Sequence, residues 1–435
     1  MPSKRSPHAV LFLTVLLDLV GFGIILPLLP FYAVQLGGSS GLKVGLLGAS
    51  YSLTQFIFAP VWGRLSDRIG RRPVLLVSVA GNAVAMAFYG LSASYWALLV
   101  ARSFAGACAA NVGAAQAYMA DVTTPENRAR GMGLIGAAFG LGFVLGPMLG
   151  GLLSHWAGTP GHPNYAAPGF AAAALGAVNF LLALGLLPES LPPERRTGAR
   201  RARFGLARAL EVLSRRGTGV PIWIFFLSVM GFAGMEATYA LFTALRFGYT
   251  GVQNGYLFCY IGLIIVIIQG TLIGRLVRRL GEKRLVLAGL ACLTAAMLTL
   301  PASAKLGVLL VASGLFALGN GLKNPSLSAI VSQQAGAVEQ GGVLGISQGM
   351  GSLARVFGPI LGGWMWDLHK PWAPYLAGGV LMAGGLVLAA ALPGSAPLSS
   401  GVSGDRAAGA AAAPPGVADD RAAGAAATPP GAPAS

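Results

Sequence analysis

The segment Gly63–Pro73 reads GRLSDRIGRRP and packs four arginines and one aspartate between two long apolar runs. A degraded copy, GRLVRRLGEKR at Gly274–Arg284, follows 211 residues later, again between apolar runs. A charged hinge repeated at half-chain distance requires two homologous halves, each with a basic loop on the same side of its apolar elements. A second landmark agrees. Gly146-Pro147-Met148-Leu149-Gly150-Gly151 returns as Gly358-Pro359-Ile360-Leu361-Gly362-Gly363, at an offset of 212.

Of the 435 residues, 55% are hydrophobic and only 10% charged, too little charge to cover a soluble surface. Runs long enough to cross a bilayer, about 20 residues each, can be counted along the chain. There are twelve, roughly 8–30, 44–62, 74–93, 95–118, 131–153, 166–187, 221–245, 255–274, 283–302, 305–323, 342–366 and 372–392. The runs are continuous and rich in Leu, Ala and Gly, which predicts helices. A membrane barrel would instead alternate over segments of about ten residues.

The formal charge of +16 is distributed as topology. With loops numbered from an internal N-terminus, 24 of the 30 Lys and Arg fall on one side. Lys43, Arg246, Lys305 and Lys370 fall on the other, and Arg102 and Arg355 lie inside spans. That bias places both termini in the cytoplasm. No basic–aromatic constellation suited to nucleic acid occurs. Cys108, Cys259 and Cys292 sit inside spans without metal or redox spacing. Nor is there a phosphate loop or nucleophile–base arrangement, so neither a cofactor, a metal nor an enzyme is expected.

The expected organisation is a six-helix bundle at 1–190, a basic cytoplasmic linker at 191–219, a second bundle at 220–392 and a disordered Ala/Gly/Pro-rich tail at 393–435. In the linker, Leu206, Leu210 and Leu213 share a helical face, with Arg208, Arg215 and Arg216 free for others. That suits either a short helix on an anionic leaflet or a solvated linker.

With these motifs in place, the chain resembles the major facilitator superfamily, in its twelve-helix drug:proton antiporter group. The loop at Gly63, Arg64, Asp67, Arg68, Gly70, Arg71 and Arg72 is similar to that family's signature between helices 2 and 3. The resemblance implies a cytoplasmic gate in which Asp67 engages the arginines, with Gly63 and Gly70 permitting a tight turn. A topogenic signal alone would account for the arginines but not for the acid. Gly133, Gly142, Gly146, Pro147, Gly150 and Gly151 reproduce the fifth-helix motif that resembles antiporters; Gly142, Gly146 and Gly150 share a face suited to close helix approach. Pro147 removes the hydrogen bond to the Phe143 carbonyl and invites a kink. The same glycines would also serve packing alone.

Of the 14 acidic residues, Asp18 in the first span and Glu236 in the seventh lie near mid-membrane. Ionisable groups at that depth are functional by default, and both are expected to couple protons; the alternative is that each is hydrogen-bonded and locks a helix–helix contact. Aligning Val20-Gly21-Phe22 with Met230-Gly231-Phe232 shows that they are not repeat counterparts. Arg102, with Gly106, resembles the family's R-x-x-x-G motif, to which a proton-transfer role is attributed; a buried ion-pair strut is the alternative. The run AYMADVTTPENRARGMG at 117–133 resembles tetracycline-efflux proteins. Where those carry further acids in helices 3 and 9, this chain has Ala85 and Cys292, which favours a lipophilic or neutral substrate over a metal chelate. Polar and aromatic candidates for a central cavity are Gln55, Asn111, Gln116, Tyr239, Tyr260, Gln269, Asn320 and Gln348.

The sequence therefore predicts an all-α membrane protein of two pseudo-symmetric six-helix bundles, monomeric, in a bacterial inner membrane. Its expected work is proton-coupled efflux of a small drug-like compound by alternating access. Facilitated or proton-symport uptake of a metabolite is the alternative. Its partners are that small molecule, protons and the lipid bilayer.

Overall fold

A proline or a glycine marks several of the helix boundaries. The computed structural model describes residues 7–109, 112–124, 127–159, 161–196, 206–335, 340–369 and 371–392. The first half contains α1 (Pro7–Ile25), α2 (Leu29–Gln35), α3 (Gly41–Ile69), α4 (Arg71–Gly90), α5 (Tyr95–Cys108), α6 (Val112–Val122), α7 (Arg128–Trp156) and α8 (Ala167–Leu186). After α9 (Leu206–Ser214) come α10 (Arg216–Phe247), α11 (Gly251–Ile267), α12 (Ile273–Leu280), α13 (Glu282–Thr299), α14 (Leu306–Gln334), α15 (Gln340–His369) and α16 (Ala373–Ala390). The expected first span is broken at Leu26–Leu28, where Pro27 and Pro30 interrupt the hydrogen-bond ladder.

Ten stretches among the described residues are long and apolar enough to cross a membrane. The two expected spans that fall short are nevertheless helices. Eighteen-residue α13 opens on Glu282, Lys283 and Arg284, and α15 carries Gln340, Ser347, Gln348, Ser352 and Arg355. We call the side on which α1 begins the near face and the side on which α3 begins the far face.

The charged hinge differs from the tight turn expected of it. The α3 helix runs on through Gly63 and Asp67 to Ile69, so Gly63 is helical. Only Gly70 turns the chain, at φ 110°, and α4 starts immediately. Its repeat counterpart Gly281 does the same between α12 and α13, at φ 76°. A single residue in a backbone region open to glycine suffices to reverse the chain. At Pro147, α7 is continuous. Between α11 and α12 the ladder loosens into a π-helical turn at Ile268–Leu272.

Buried side chains form separate clusters. Val20, Leu47, Met86, Tyr89 and Leu98 belong to α1–α5, while Met235, Leu290, Phe316, Tyr375 and Met382 belong to α10–α16. Lipid is as apolar as these residues, so close backbone approach and internal polar contacts must hold the helices together. The first half pairs α1 with α7 and α8, α3 with α5, and α4 with α8; the second pairs α10 with α15 and α16, and α13 with α14 and α16. The α3 helix also packs on α15, and α7 on α11. All these helices belong to one unit, Met1–Pro397.

The α10 helix starts at Arg216, inside the range 191–219 expected of the linker. On α9, Val212 is fully buried against Ile222, Val331 and Val343, and the Thr218 hydroxyl donates to the Val212 carbonyl at 2.9 Å. The helix thus docks on protein, leaving Leu210 exposed. The tail expected to be disordered, 393–435, lies outside the described residues.

Candidate functional site

Close helix approach builds the site. On α5, a Cβ at Gly106 would stand 2.8 Å from the Tyr51 carbonyl carbon, so α5 and α3 meet backbone to backbone there. Thr54 Oγ1 ties them by donating to the Ser103 carbonyl at 2.8 Å. One turn before Gly106, Arg102 is carried onto the aromatic face of Tyr51, its guanidinium carbon 4.4 Å from the ring centroid and 5.9 Å from that of Phe22. The R-x-x-x-G spacing therefore has a packing cause: the glycine admits the helix, and the arginine uses the opening. Arg102 is 3% exposed, and its Nε and Nη1 have no hydrogen-bond acceptor among the described residues. An arginine does not shed its charge, so this one depends on ring faces and on carboxylates at a distance.

Asp18 and Glu236 are differently furnished. Asn82 on α4 donates to Asp18 Oδ1 at 2.8 Å, tying α1 to α4. Glu236 on α10 has no hydrogen bond and no ion pair within 4 Å among the described residues. Two cations act on it through space, Arg355 of α15 and Arg102 of α5. Tyr51 lies within electrostatic reach of Arg102, Asp18 and Arg355. Glu236, Arg102 and Arg355 thus form one charged group drawn from α10, α5 and α15, and Asp18 of α1 is reached through Tyr51. Sequence reasoning noticed Arg355 only as a charge inside a span. Its position as the one charge in the run 342–366 was the available signal.

The other candidates divide. Tyr239 is buried in the second half's core, its hydroxyl 2.7 Å from Ser313 Oγ, and Asn320 donates to the Phe316 carbonyl one turn back. Tyr260 donates to the Leu310 carbonyl at 3.3 Å, joining α11 to α14. Gln55 donates to the Ala109 carbonyl at 3.3 Å. Gln116, Gln269 and Gln348 are exposed, and Asn111 lies outside the described residues. Ala85 is buried and Cys292 half-buried. Lys323, counted from sequence among the loop charges, is instead fully buried in α14, where Nζ donates to Ser228 Oγ at 2.8 Å. The longer reach of α14 toward the near face explains the difference.

At the near face, Arg71 Nη1 pairs with Asp67 Oδ1 at 2.6 Å and donates to Ser66 Oγ at 2.7 Å, while its Nε reaches Asp121 Oδ2 at 3.3 Å. The α4 N-terminus is capped by Glu189, whose Oε1 accepts the Arg71 backbone N–H at 2.8 Å. Arg72 donates to the Leu184 carbonyl at 2.6 Å and Arg64 to the Pro60 carbonyl at 3.1 Å; Arg68 is exposed. Asp121 and Glu189 escaped notice in the sequence because they lie outside the arginine-rich loop.

The fifth-span glycines carry backbone contacts. A Cβ on Gly142 would come 2.7 Å from Leu19 Cβ, and one on Gly146 2.6 Å from Gly23 Cα. Gly150 abuts the Ile24 carbonyl, and Gly151 faces Gly251 of α11. Gly133 is exposed with open space around it. No group of three or more His, Cys, Asp or Glu able to hold a metal occurs among the described residues.

Comparison with known proteins follows the same lines. The family model described as Major Facilitator Superfamily matches residues 11–304 and 266–430. A human protein, major facilitator superfamily domain-containing protein 10, is 33% identical over 409 residues, covering 83% of this chain and 87% of the relative. The class C tetracycline resistance protein of Escherichia coli is 34% identical over 366 residues, covering 82% and 89% respectively. The crystal structure of the human organic anion transporter MFSD10 (TETRAN) superposes with a TM-score of 0.67 at 30% identity, covering 89% of this chain and all of that one. The helices, their two-fold repeated sequence and these matches together make the chain a member of the Major Facilitator Superfamily, an all-α multi-pass membrane transporter.

Proposed function

We propose that this transporter exports a small, largely apolar compound in exchange for protons, by alternating access of its two halves. Glu236 supports the reading most directly. It is a carboxylate inside the bundle without a hydrogen-bond partner among the described residues, acted on by Arg102 from one half and Arg355 from the other. Ionised, it attracts both halves at its own depth; protonated, it releases them. A compound offering an O–H or N–H to the ionised carboxylate competes with the proton for the same atoms, and competition of that kind gives exchange. Asp18, already held by Asn82, is the second proton-carrying group. Asp67, Arg71 and Asp121 form the gate on the near face, assigned to the cytoplasm with both termini by its arginines. Each proton crossing a potential of 100 mV supplies about 2.3 kcal/mol, on the order of a fiftyfold gradient.

The Arg102 nitrogens that find no acceptor among the described residues favour a second reading, transport of an organic anion. The human relative of known structure is described as an organic anion transporter. An anion between Arg102 and Arg355 binds best when Glu236 is protonated, so it would travel with the proton rather than against it. The two readings differ in sign. Proteoliposomes given a pH gradient and a panel of lipophilic and anionic compounds should show substrate-evoked proton movement opposite to a lipophilic substrate under exchange. Movement in the same direction would select the anion reading. Glu236→Gln should uncouple flux from the gradient; retained coupling in both Glu236→Gln and Asp18→Asn removes the carboxylate mechanism.

A further inference from the structure

On the far face the two halves meet along two seams that the internal repeat makes counterparts. Where α3 crosses α15, Gly45 abuts the Pro359 carbonyl, and a Cβ on Gly41 would stand 2.7 Å from the Gly363 carbonyl oxygen. Where α11 crosses α7, a Cβ on Gly255 would stand 2.5 Å from the Pro147 carbonyl oxygen, and one on Gly151 2.8 Å from that of Gly251. Gly41 and Gly45 correspond to Gly251 and Gly255 at an offset of 210, and Pro147 and Gly151 to Pro359 and Gly363 at 212.

The seams differ in how the helix that starts there is capped. Asp367, in the last turn of α15, accepts the Gly41 N–H on Oδ1 at 2.7 Å and the Leu42 N–H on Oδ2 at 2.9 Å. Ser40 Oγ takes the Lys43 N–H at 3.1 Å. These are the leading N–H groups of α3, which have no acceptor within their own helix. A carboxylate is the favoured partner of that positive end, and hydrogen bonds to a charged acceptor are the strong ones. The other seam is built differently. The counterpart of Asp367 is His155, exposed at the end of α7, and α11 is capped from within by Thr250 and Gln253.

We infer that Asp367 is a latch between the halves, holding the far face shut through the N-terminus of α3, so that opening toward that face begins with its release. Glycine-lined backbone contacts part without losing a hydrogen bond. Asp367 loses two together, because both oxygens belong to one rigid carboxylate. Water from the far compartment then takes over the Gly41 and Leu42 N–H groups. With alternating access as proposed above, on which this inference rests, Asp367 is a positioning residue. It sets the ratio of far-face-closed to far-face-open molecules without touching the transported compound.

The test uses the full chain in lipid nanodiscs, with Cys108, Cys259 and Cys292 replaced by Ala and spin labels on Gln35→Cys and Leu306→Cys, both at the far face. Pulsed distance measurement without substrate or pH gradient reads the closed and open populations, so failure of proton-coupled export leaves this result untouched. Asp367→Ala should raise the open-to-closed ratio by about tenfold. Asp367→Asn, which keeps an acceptor but no charge, should fall between, and Asp367→Glu should restore the native distribution. His155→Asp, placing a carboxylate on α7 at the repeat position of Asp367, should lower the open fraction. An unchanged distribution in folded Asp367→Ala overturns the latch. Should that variant fail to fold, an unchanged distribution in Asp367→Asn overturns it instead.

Discussion

Lys323 Nζ donates to Ser228 Oγ at 2.8 Å, and the lysine has no solvent exposure. In the repeat alignment Ser228 occupies the place that Asp18 holds in the first half, at an offset of 210. The two halves thus carry opposite solutions at one position: an acid capped by an amide in α1, and a hydroxyl accepting from a lysine in α10. A buried amine with one partner is costly to strand and cheap to remove. Ser228→Ala should destabilise the protein by about 1–3 kcal/mol, whereas Lys323→Met should leave its thermal unfolding temperature in detergent unchanged or raised. In the double variant the serine loss should no longer register. Equal destabilisation by Ser228→Ala in both backgrounds would contradict this pairing.

Gly146 meets Gly23 backbone to backbone. Gly146→Val would force α7 away from α1, an overpacking expected to cost about 1–3 kcal/mol or more. Reduced yield of monodisperse protein and a lower unfolding temperature should follow. Gly133→Val, in open space, should be tolerated in the same assay.

Arg71 joins α3, α4 and α6 through Asp67, Ser66 and Asp121. Charge-assisted hydrogen bonds of this kind are worth about 1.5–3 kcal/mol each when a partner is deleted. Arg71→Gln should therefore speed near-face labelling of a cysteine placed at Ser66, measured against the Ser66→Cys protein with Arg71 intact. Arg68→Gln, with an exposed side chain, should not.

Glu211 on α9 is held below the usual carboxylate range by hydrogen bonds from Arg215 and Arg208. A carboxylate depressed in the folded state adds stability above its unfolded pKa and loses it as pH falls through the folded value. The group is exposed, so the effect is local. Amide exchange of α9, corrected for intrinsic rates, should become faster below the ordinary carboxylate range than at pH 7. Glu211→Gln should abolish that difference.

The hydrophobic runs, the duplicated hinge and the positive loops were readable because bilayer length and loop charge are properties of contiguous sequence. Asp18, Glu236 and Arg102 could be singled out for the same reason: a charge in an apolar run needs no neighbour to be conspicuous. Partners were another matter. No local spacing marks an amide as the partner of a distant carboxylate, so Asn82 on another helix could not be assigned to Asp18. Gly63 was expected to turn the chain but is helical, since one positive-φ residue, Gly70, is enough.

By itself the sequence determined that this chain forms apolar helices in two related sets with a basic side, because periodicity, span length and charge are written residue by residue. Tertiary structure decided which charges confront one another. Arg102 and Arg355 reach Glu236 from different halves, Lys323 finds Ser228, and Asp367 caps a helix more than three hundred residues away. Such meetings depend on the crossing of helices at glycine contacts, a matter of geometry between segments that no single segment contains.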